Sequence, residues 1–341
     1  MLLLSACATD AESGDSNADV SSGSAALVIA QGGLGDQSYN DLALKGFKKA
    51  VADADISGAP IESSDIVGQG EQVLRRAGQA NMGLIIDLEY SHSEIVPKVA
   101  ADFPKSNWVI VNAVSEGDNV ASVLFQEQEG SYLAGALAAL QTTNTSDPKI
   151  NADKTIGVIG GTSGAGIDKF IVGYIQGAHD IDPSVEVLSA YSNDFADPTK
   201  GQQLAQSMFD QGADIIYTVA GATGMGVIQA ATQNDRYAIG VDDNQDAVAP
   251  GNVLTSMIKR TDVAVESIVK AYTDGSFPGG TIVSLGLKED AVGLTDFEYT
   301  KDAIGQANID KIKTIKQNII DGTVEVWNVV DQGYPDFYTG K

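Results

Sequence analysis

Residues 32–41 read GGLGDQSYND: three glycines, two carboxylates, a hydroxyl, side-chain amides and one aromatic ring in ten positions. The stretch follows a short apolar run, ALVIA, and precedes a helical pattern. A loop of this make-up can grip a phosphate, shape a catalytic turn, or line a pocket for a small polar ligand. The first two options find little support. Gly33 to Ser38 starts like a dinucleotide fingerprint, but Ser38 stands at the third glycine position. The run GATGMG at 221–226 has its glycines in the wrong order, and GTSGA at 161–165 misses the nucleophile elbow at its last residue. No G-x-x-x-x-G-K-[ST] run occurs. The two histidines, His92 and His179, lie far apart, and each reads as a structural or surface residue near a helix end. Cys7 is the single cysteine, which excludes an internal disulfide and a zinc site built mainly from Cys and His. No cofactor, no metal and no enzymatic activity are expected. The pocket reading remains.

Alternating elements must position such a loop. Apolar runs at 26–30, 83–88, 108–112, 120–125, 155–159, 185–189, 214–219 and 238–241 read as strands. Amphipathic stretches at 41–53, 71–79, 93–102, 129–140 and 198–211 read as helices. Asp197 followed by Pro198 is a good start signal for the last of these. Strands that alternate with helices argue for parallel sheets covered on both faces. The pattern pauses at TTNTSDPKINAD, 142–153, and a new strand–glycine–helix unit follows. Two similar α/β lobes result, with a ligand cleft between them at the strand C-termini.

The chain has 341 residues, enough for two cores, and 43% are hydrophobic. There are 46 Asp and Glu against 21 Lys and Arg, a formal charge of −25. Nucleic-acid binding needs a basic face, so it is excluded. Residues 1–7, MLLLSAC, end in the lipobox pattern Leu-Ser-Ala-Cys and read as a truncated lipoprotein signal, with Cys7 as the lipidated residue. Residues 8–24, rich in Ser, Asp, Ala and Gly, read as a flexible tether. No later apolar run approaches the roughly 20 residues of a membrane span.

Five segments together resemble the basic membrane lipoproteins, whose best-understood members are purine-nucleoside receptors of ABC transporters. They are GGLGDQSYND at 32–41; FQEQEGSYLAG at 125–135; GVIGG…KFIVGYIQG at 157–177; the run from FADP at 195–198 through QGAD, AGATG and GVDDNQ, 240–245; and LTSMIKRTDVA at 254–264. They span most of the chain after the tether, in the family's order. The resemblance implies a type I periplasmic-binding fold, α/β, with two Rossmann-like lobes joined by three crossovers. These are expected near 142–153, 254–259 and 279–284. The lobes are then 25–147 with 257–283, and 148–256 with 284–341.

The same resemblance implies a monomeric, lipid-anchored receptor on the outer side of the cell membrane, which captures a nucleoside, purine in the first instance, for an ABC permease. A riboflavin-like flat ligand, or a sensory lipoprotein without a transport partner, are the alternatives. Tyr39 and Phe195 are expected to stack on the two faces of the base, and Asn40 to meet its edge. Asp242 and Lys259 are expected on the ribose, Gly221 to bring backbone close, and Gln126 or Glu127 to add a polar contact. Asp36 and Gln31 complete the set from the opening loop. One departure stands out. Nucleoside-binding members usually carry an aspartate two residues before the paired glycines, where this chain has Ala30, followed by Gln31.

Overall fold

In chain order the elements are β1 (Ser21–Val28), α1 (Tyr39–Asp53), β2 (Ser57–Ile61), α2 (Ile66–Gln79), β3 (Met82–Asp87), α3 (Val96–Asp102), β4 (Asn107–Val111), β5 (Val120–Phe125), α4 (Glu127–Thr142), β6 (Thr155–Gly160), α5 (Ala165–Ile181) and β7 (Glu186–Tyr191). They continue with α6 (Pro198–Asp210), β8 (Ala213–Val219), α7 (Thr223–Gln233), β9 (Tyr237–Asp242), β10 (Val253–Lys259), α8 (Thr261–Thr273), β11 (Ile282–Leu285), β12 (Val292–Leu294), α9 (Lys301–Ile304), α10 (Gln306–Ile320) and α11 (Val329–Gln332). A 3-10 turn at Tyr90–His92 follows β3. This computed structural model describes residues 21–338. Cys7 and most of the expected tether lie outside the described residues, but β1 begins at Ser21, inside the segment read as tether.

Two six-stranded sheets form, in the orders β11-β5-β4-β3-β1-β2 and β12-β10-β9-β8-β6-β7. All pairs are parallel except β10 with β12, an antiparallel edge. Both faces of the first sheet are covered along its inner strands, so β1, β3, β4 and β5 are mostly apolar. Along β1 the side chains alternate between cores: Ala25 and Leu27 face one cluster, and Val28 faces another with Ile85 and Trp108. In each sheet the chain reverses its winding at one place, between β1 and β3 and between β6 and β8. The C-terminal ends of those strands open a crevice, which is where open α/β sheets take ligands.

The chain crosses between lobes at three places, and the first differs from expectation. Helix α4 packs on α5 and on β6, β8, β10 and β12, all elements of the second lobe. The first crossing is therefore Gln126, not 142–153. That polar stretch is a loop of the second lobe: Thr142 Oγ1 and the Asn151 amide both donate to Asp214, at 2.9 and 3.0 Å. Helix α4 is buried nearly all round, so its sequence carries no stripe that names a partner lobe. Its approach to α5 is close enough that a Cβ on Gly135 would collide with the Tyr174 backbone. The second crossing is Arg260, after β10, which lies wholly in the second sheet. The third is the link between β11 and β12, 286–291, later than the expected 279–284. The lobes are thus 21–125 with 261–285, and 127–259 with 292–338.

Candidate functional site

A cavity between the lobes is lined by residues at or just after the ends of β1, β3, β4, β8, β9 and β10 and by the N-terminal turns of α1, α4 and α5. One part of it is aromatic. Tyr39, the first residue of α1, lines it, as do Phe170 of α5 and Phe195 from the loop after β7. The Tyr39 hydroxyl does not face a ligand. It donates to the Leu88 carbonyl at 3.0 Å and accepts from Asn112 Nδ2 at 3.0 Å. These bonds fix the ring plane. Gly221 has φ +54°, a conformation that favours glycine, and a Cβ there would stand 3.2 Å from the Phe195 carbonyl oxygen. Its role is to let the Phe195 loop close on the cleft wall.

The charged end lies at the hinge. Glu127 opens α4, directly after the first crossing, and Lys259 ends β10, directly before the second. Glu127 Oε1 is 2.8 Å from Lys259 Nζ, and Oε2 is 2.5 Å from Lys169 Nζ. Burial penalises the Glu127 charge, but the two ammonium groups outweigh it and hold its pKa below the ordinary carboxylate value. Burial pushes the Lys169 pKa down, against the pull of Glu127. Lys259 Nζ also sits 4.8 Å from the centre of the Tyr39 ring.

Asp242 ends β9 with φ +67° and is 7% exposed. Burial raises its pKa from the ordinary 3.8 to about 6, although Lys259 pulls the other way. Its Oδ2 accepts from Ser38 Oγ of the opposite lobe at 2.6 Å. The same hydroxyl lies 3.3 Å from the Val241 carbonyl, and two further pairs of residues meet across the cleft. Gln245 Nε2 donates to the Gln37 carbonyl at 2.9 Å, and the Tyr90 and Thr162 hydroxyls lie 3.2 Å apart.

Of the ten expected site residues, nine line this cavity. Gln126 does not; its side chain bonds Ser284 Oγ and Gln128 at the hinge, both at 2.5 Å. Two of the nine are largely committed to the loop itself. Asn40 Oδ1 accepts from the Ala30 amide at 3.0 Å, and Nδ2 donates to the Gly33 carbonyl at 3.1 Å. Asp36 accepts from the amides of Ser38, Asn40 and Asp41 at 2.9–3.1 Å and so caps α1. Gln31 donates its amide to Glu89 Oε2 at 3.0 Å. Glu89, Tyr90, Asn112, Phe170 and the ion-pair partner Lys169 were missed. Glu89 and Asn112 follow strands, as binding residues of such sheets do, and Lys169 stands inside the quoted segment at 157–177. His92 is a buried structural residue, with Nδ1 2.8 Å from Asp87 Oδ2 and Nε2 2.9 Å from the Ile66 carbonyl.

Two α/β lobes, three crossings and a polar–aromatic cleft at paired switch points define a bilobal solute-binding protein of the type I periplasmic-binding fold. Residues 24–328 match the family described as ABC transporter substrate-binding protein PnrA-like, and the chain belongs to that family. It is 33% identical to the CD4+ T-cell-stimulating antigen of Listeria innocua serovar 6a, over 95% of this chain and 94% of that protein. It is 31% identical to the ABC transporter nucleoside-binding protein BmpA of Lactococcus lactis, with the same shares covered. Among solved structures, a solute-binding protein of an ABC transporter system from Aeropyrum pernix K1 superposes with a TM-score of 0.83, at 28% identity, over 89% of this chain and 93% of that one. The family binds solutes for transport and is not enzymatic; its members work with a small-molecule ligand and a permease. No helix of the described residues is long and apolar enough to cross a membrane.

Proposed function

We propose that this protein captures a purine nucleoside outside the cell and delivers it to an ABC permease. The observation that carries the reading is a cleft that combines aromatic rings with charged groups. Tyr39 and Phe195 line it and suit a flat base. Glu127, Asp242 and Lys259 line it too, with Lys259 Nζ 4.8 Å from the centre of the Tyr39 ring, and suit vicinal sugar hydroxyls, which both donate and accept. The charge balance favours a nucleoside over its phosphate. Asp36, Glu89, Glu127 and Asp242 face the cleft, and only Lys259 and Lys169 oppose them. A phosphate would bring further negative charge into a buried site that already holds an excess of it. The name of the Lactococcus relative supports the same ligand class. Lipidation of Cys7, with a monomeric body held at the membrane, completes the proposal.

The test uses protein unfolded and refolded to strip captured ligand. Thermal shifts are then recorded with inosine, guanosine, adenosine, cytidine, uridine, free bases, ribose, nucleoside monophosphates and riboflavin. A ligand at about 100 times its Kd stabilises the fold by about 2.7 kcal/mol. Shifts with purine nucleosides alone support the reading. A shift only with riboflavin replaces the ligand, and no shift with any nucleoside refutes it.

A further inference from the structure

We infer that Glu89, with Asn112 beside it, makes the base end of the cleft an acceptor pair that selects 6-oxopurine nucleosides, guanosine above all, over adenosine. The inference rests on the nucleoside reading and adds which base the site admits.

The geometry begins at the first switch point. Strand β3 lies beside β1, with Asp87 in register with Val28, so a side chain just after β3 reaches the loop just after β1. Glu89 does this: Oε2 takes the Gln31 amide at 3.0 Å. Its other oxygen is occupied by the Ser91 amide at 3.1 Å, the Ser91 hydroxyl at 2.7 Å and Gln31 Nε2 at 3.4 Å. A carboxylate offers about four lone-pair sites. Oε2 accepts one bond, so it keeps a free acceptor position on a residue that lines the cavity. Ala30, next to it, has no polar side chain to compete.

Asn112 follows β4, the neighbour of β3 on the other side. Its amide orientation is fixed by a chain of donors. The Tyr39 hydroxyl spends its proton on the Leu88 carbonyl, so it can only accept from Asn112, which must turn Nδ2 toward it. Oδ1 is left buried and without a partner. A buried unpaired acceptor in a ligand cavity calls for a donor from the ligand.

The two acceptors line one cavity and stand two residues beyond the paired Asp87 and Ile110 of β3 and β4, a placement that suits the edge of guanine, which presents the N1 hydrogen and the N2 amine together. Hypoxanthine keeps the N1 hydrogen. Adenine places a lone pair at N1, facing a carboxylate that has no proton to give. A lost hydrogen bond to a charged group amounts to about a 10- to 100-fold change in affinity.

The test is calorimetric titration of refolded wild type, Glu89→Gln and Ser91→Ala with guanosine, inosine and adenosine. Wild type is expected to bind guanosine at least about tenfold more tightly than adenosine, with inosine between. Glu89→Gln, whose amide can donate to adenine N1, is expected to lose that preference. Ser91→Ala removes a partner of the carboxylate but not the carboxylate, and is expected to keep it. Melting of the ligand-free variants confirms that each is folded. Equal affinities in wild type overturn the inference while leaving the nucleoside reading intact. So does a Glu89→Gln variant that weakens guanosine and adenosine alike, or a Ser91→Ala variant that loses the preference. If wild type binds no nucleoside, the nucleoside reading fails and this inference with it.

Discussion

Asp242 couples stability to binding in a way that one substitution exposes. The carboxylate is 7% exposed, and burial lifts its pKa from 3.8 to about 6. A folded state that holds its proton more tightly than the unfolded chain is destabilised once the group ionises. At pH 7.5 the shift of about two units corresponds to about 3 kcal/mol of lost stability, at about 1.4 kcal/mol per unit. Asp242→Asn removes the charge while keeping an acceptor for Ser38 Oγ, and asparagine tolerates the positive φ at this position. The ligand-free variant is therefore expected to be about 3 kcal/mol more stable than wild type at pH 7.5. At pH 5 the gain shrinks to roughly half, and it vanishes below 3.8, where both side chains are neutral. Lys259, Asp36 and Glu127 face the same group, and their influence is already contained in the shifted pKa. Nucleoside affinity moves the opposite way, falling about 10- to 100-fold with the loss of a charged acceptor for the sugar. Urea unfolding of ligand-free protein at both pH values, beside calorimetry with the ligand, reads the two effects separately. A variant less stable than wild type at pH 7.5, or a gain that does not shrink toward pH 5, refutes the reasoning.

Further outcomes follow from the hinge and the cleft mouth. Lys169→Met leaves Glu127 with Lys259 alone in a buried site and is expected to cost about 3 kcal/mol or more at pH 7, measured by urea unfolding. Tyr90→Phe removes a hydroxyl contact with Thr162 between the lobes; ligand dissociation is expected to accelerate by roughly three- to tenfold in stopped flow, at little cost in stability. His92 has acceptors at both ring nitrogens, the Asp87 carboxylate and the Ile66 carbonyl, so it must carry two protons to satisfy them. Burial of the ring opposes that charge, but Asp87 prevails and raises the pKa above 6.5. The stability it contributes is full below pH 6.5 and is lost as pH rises through the folded value. A proton NMR titration in which this ring loses its proton below pH 6.5 would count against the assignment.

How far these features can be read from sequence depends on what each residue's surroundings impose. Strands such as β3, with LII at 84–86, and β4, with WVIV at 108–111, are buried on both faces, so they stand out as apolar runs. Strand β2, SGAPI, lies at a sheet edge and is largely exposed, and nothing in its composition separates it from a loop. Helix α4 fails for the opposite reason: burial on every side erases the stripe that would have assigned it to a lobe. Within the site, Tyr39, Asp242 and Lys259 were readable because each sits in a segment that resembles a family motif. Asp36 and Asn40 sit in one too, but a glycine-rich turn must satisfy its own amides, and the nearest polar side chains do so first. Glu89 and Asn112 are unremarkable in sequence, and Lys169, though inside a family-like segment, shows no partner there. Their meaning comes from neighbours distant in the chain: β3 set beside β1 brings Glu89 to Gln31, and α4 set beside α5 brings Lys169 to Glu127. The carboxylate missing at Ala30 and the one present at Glu89 belong to a single corner of the cleft, and the sheet order, not the local sequence, puts them there.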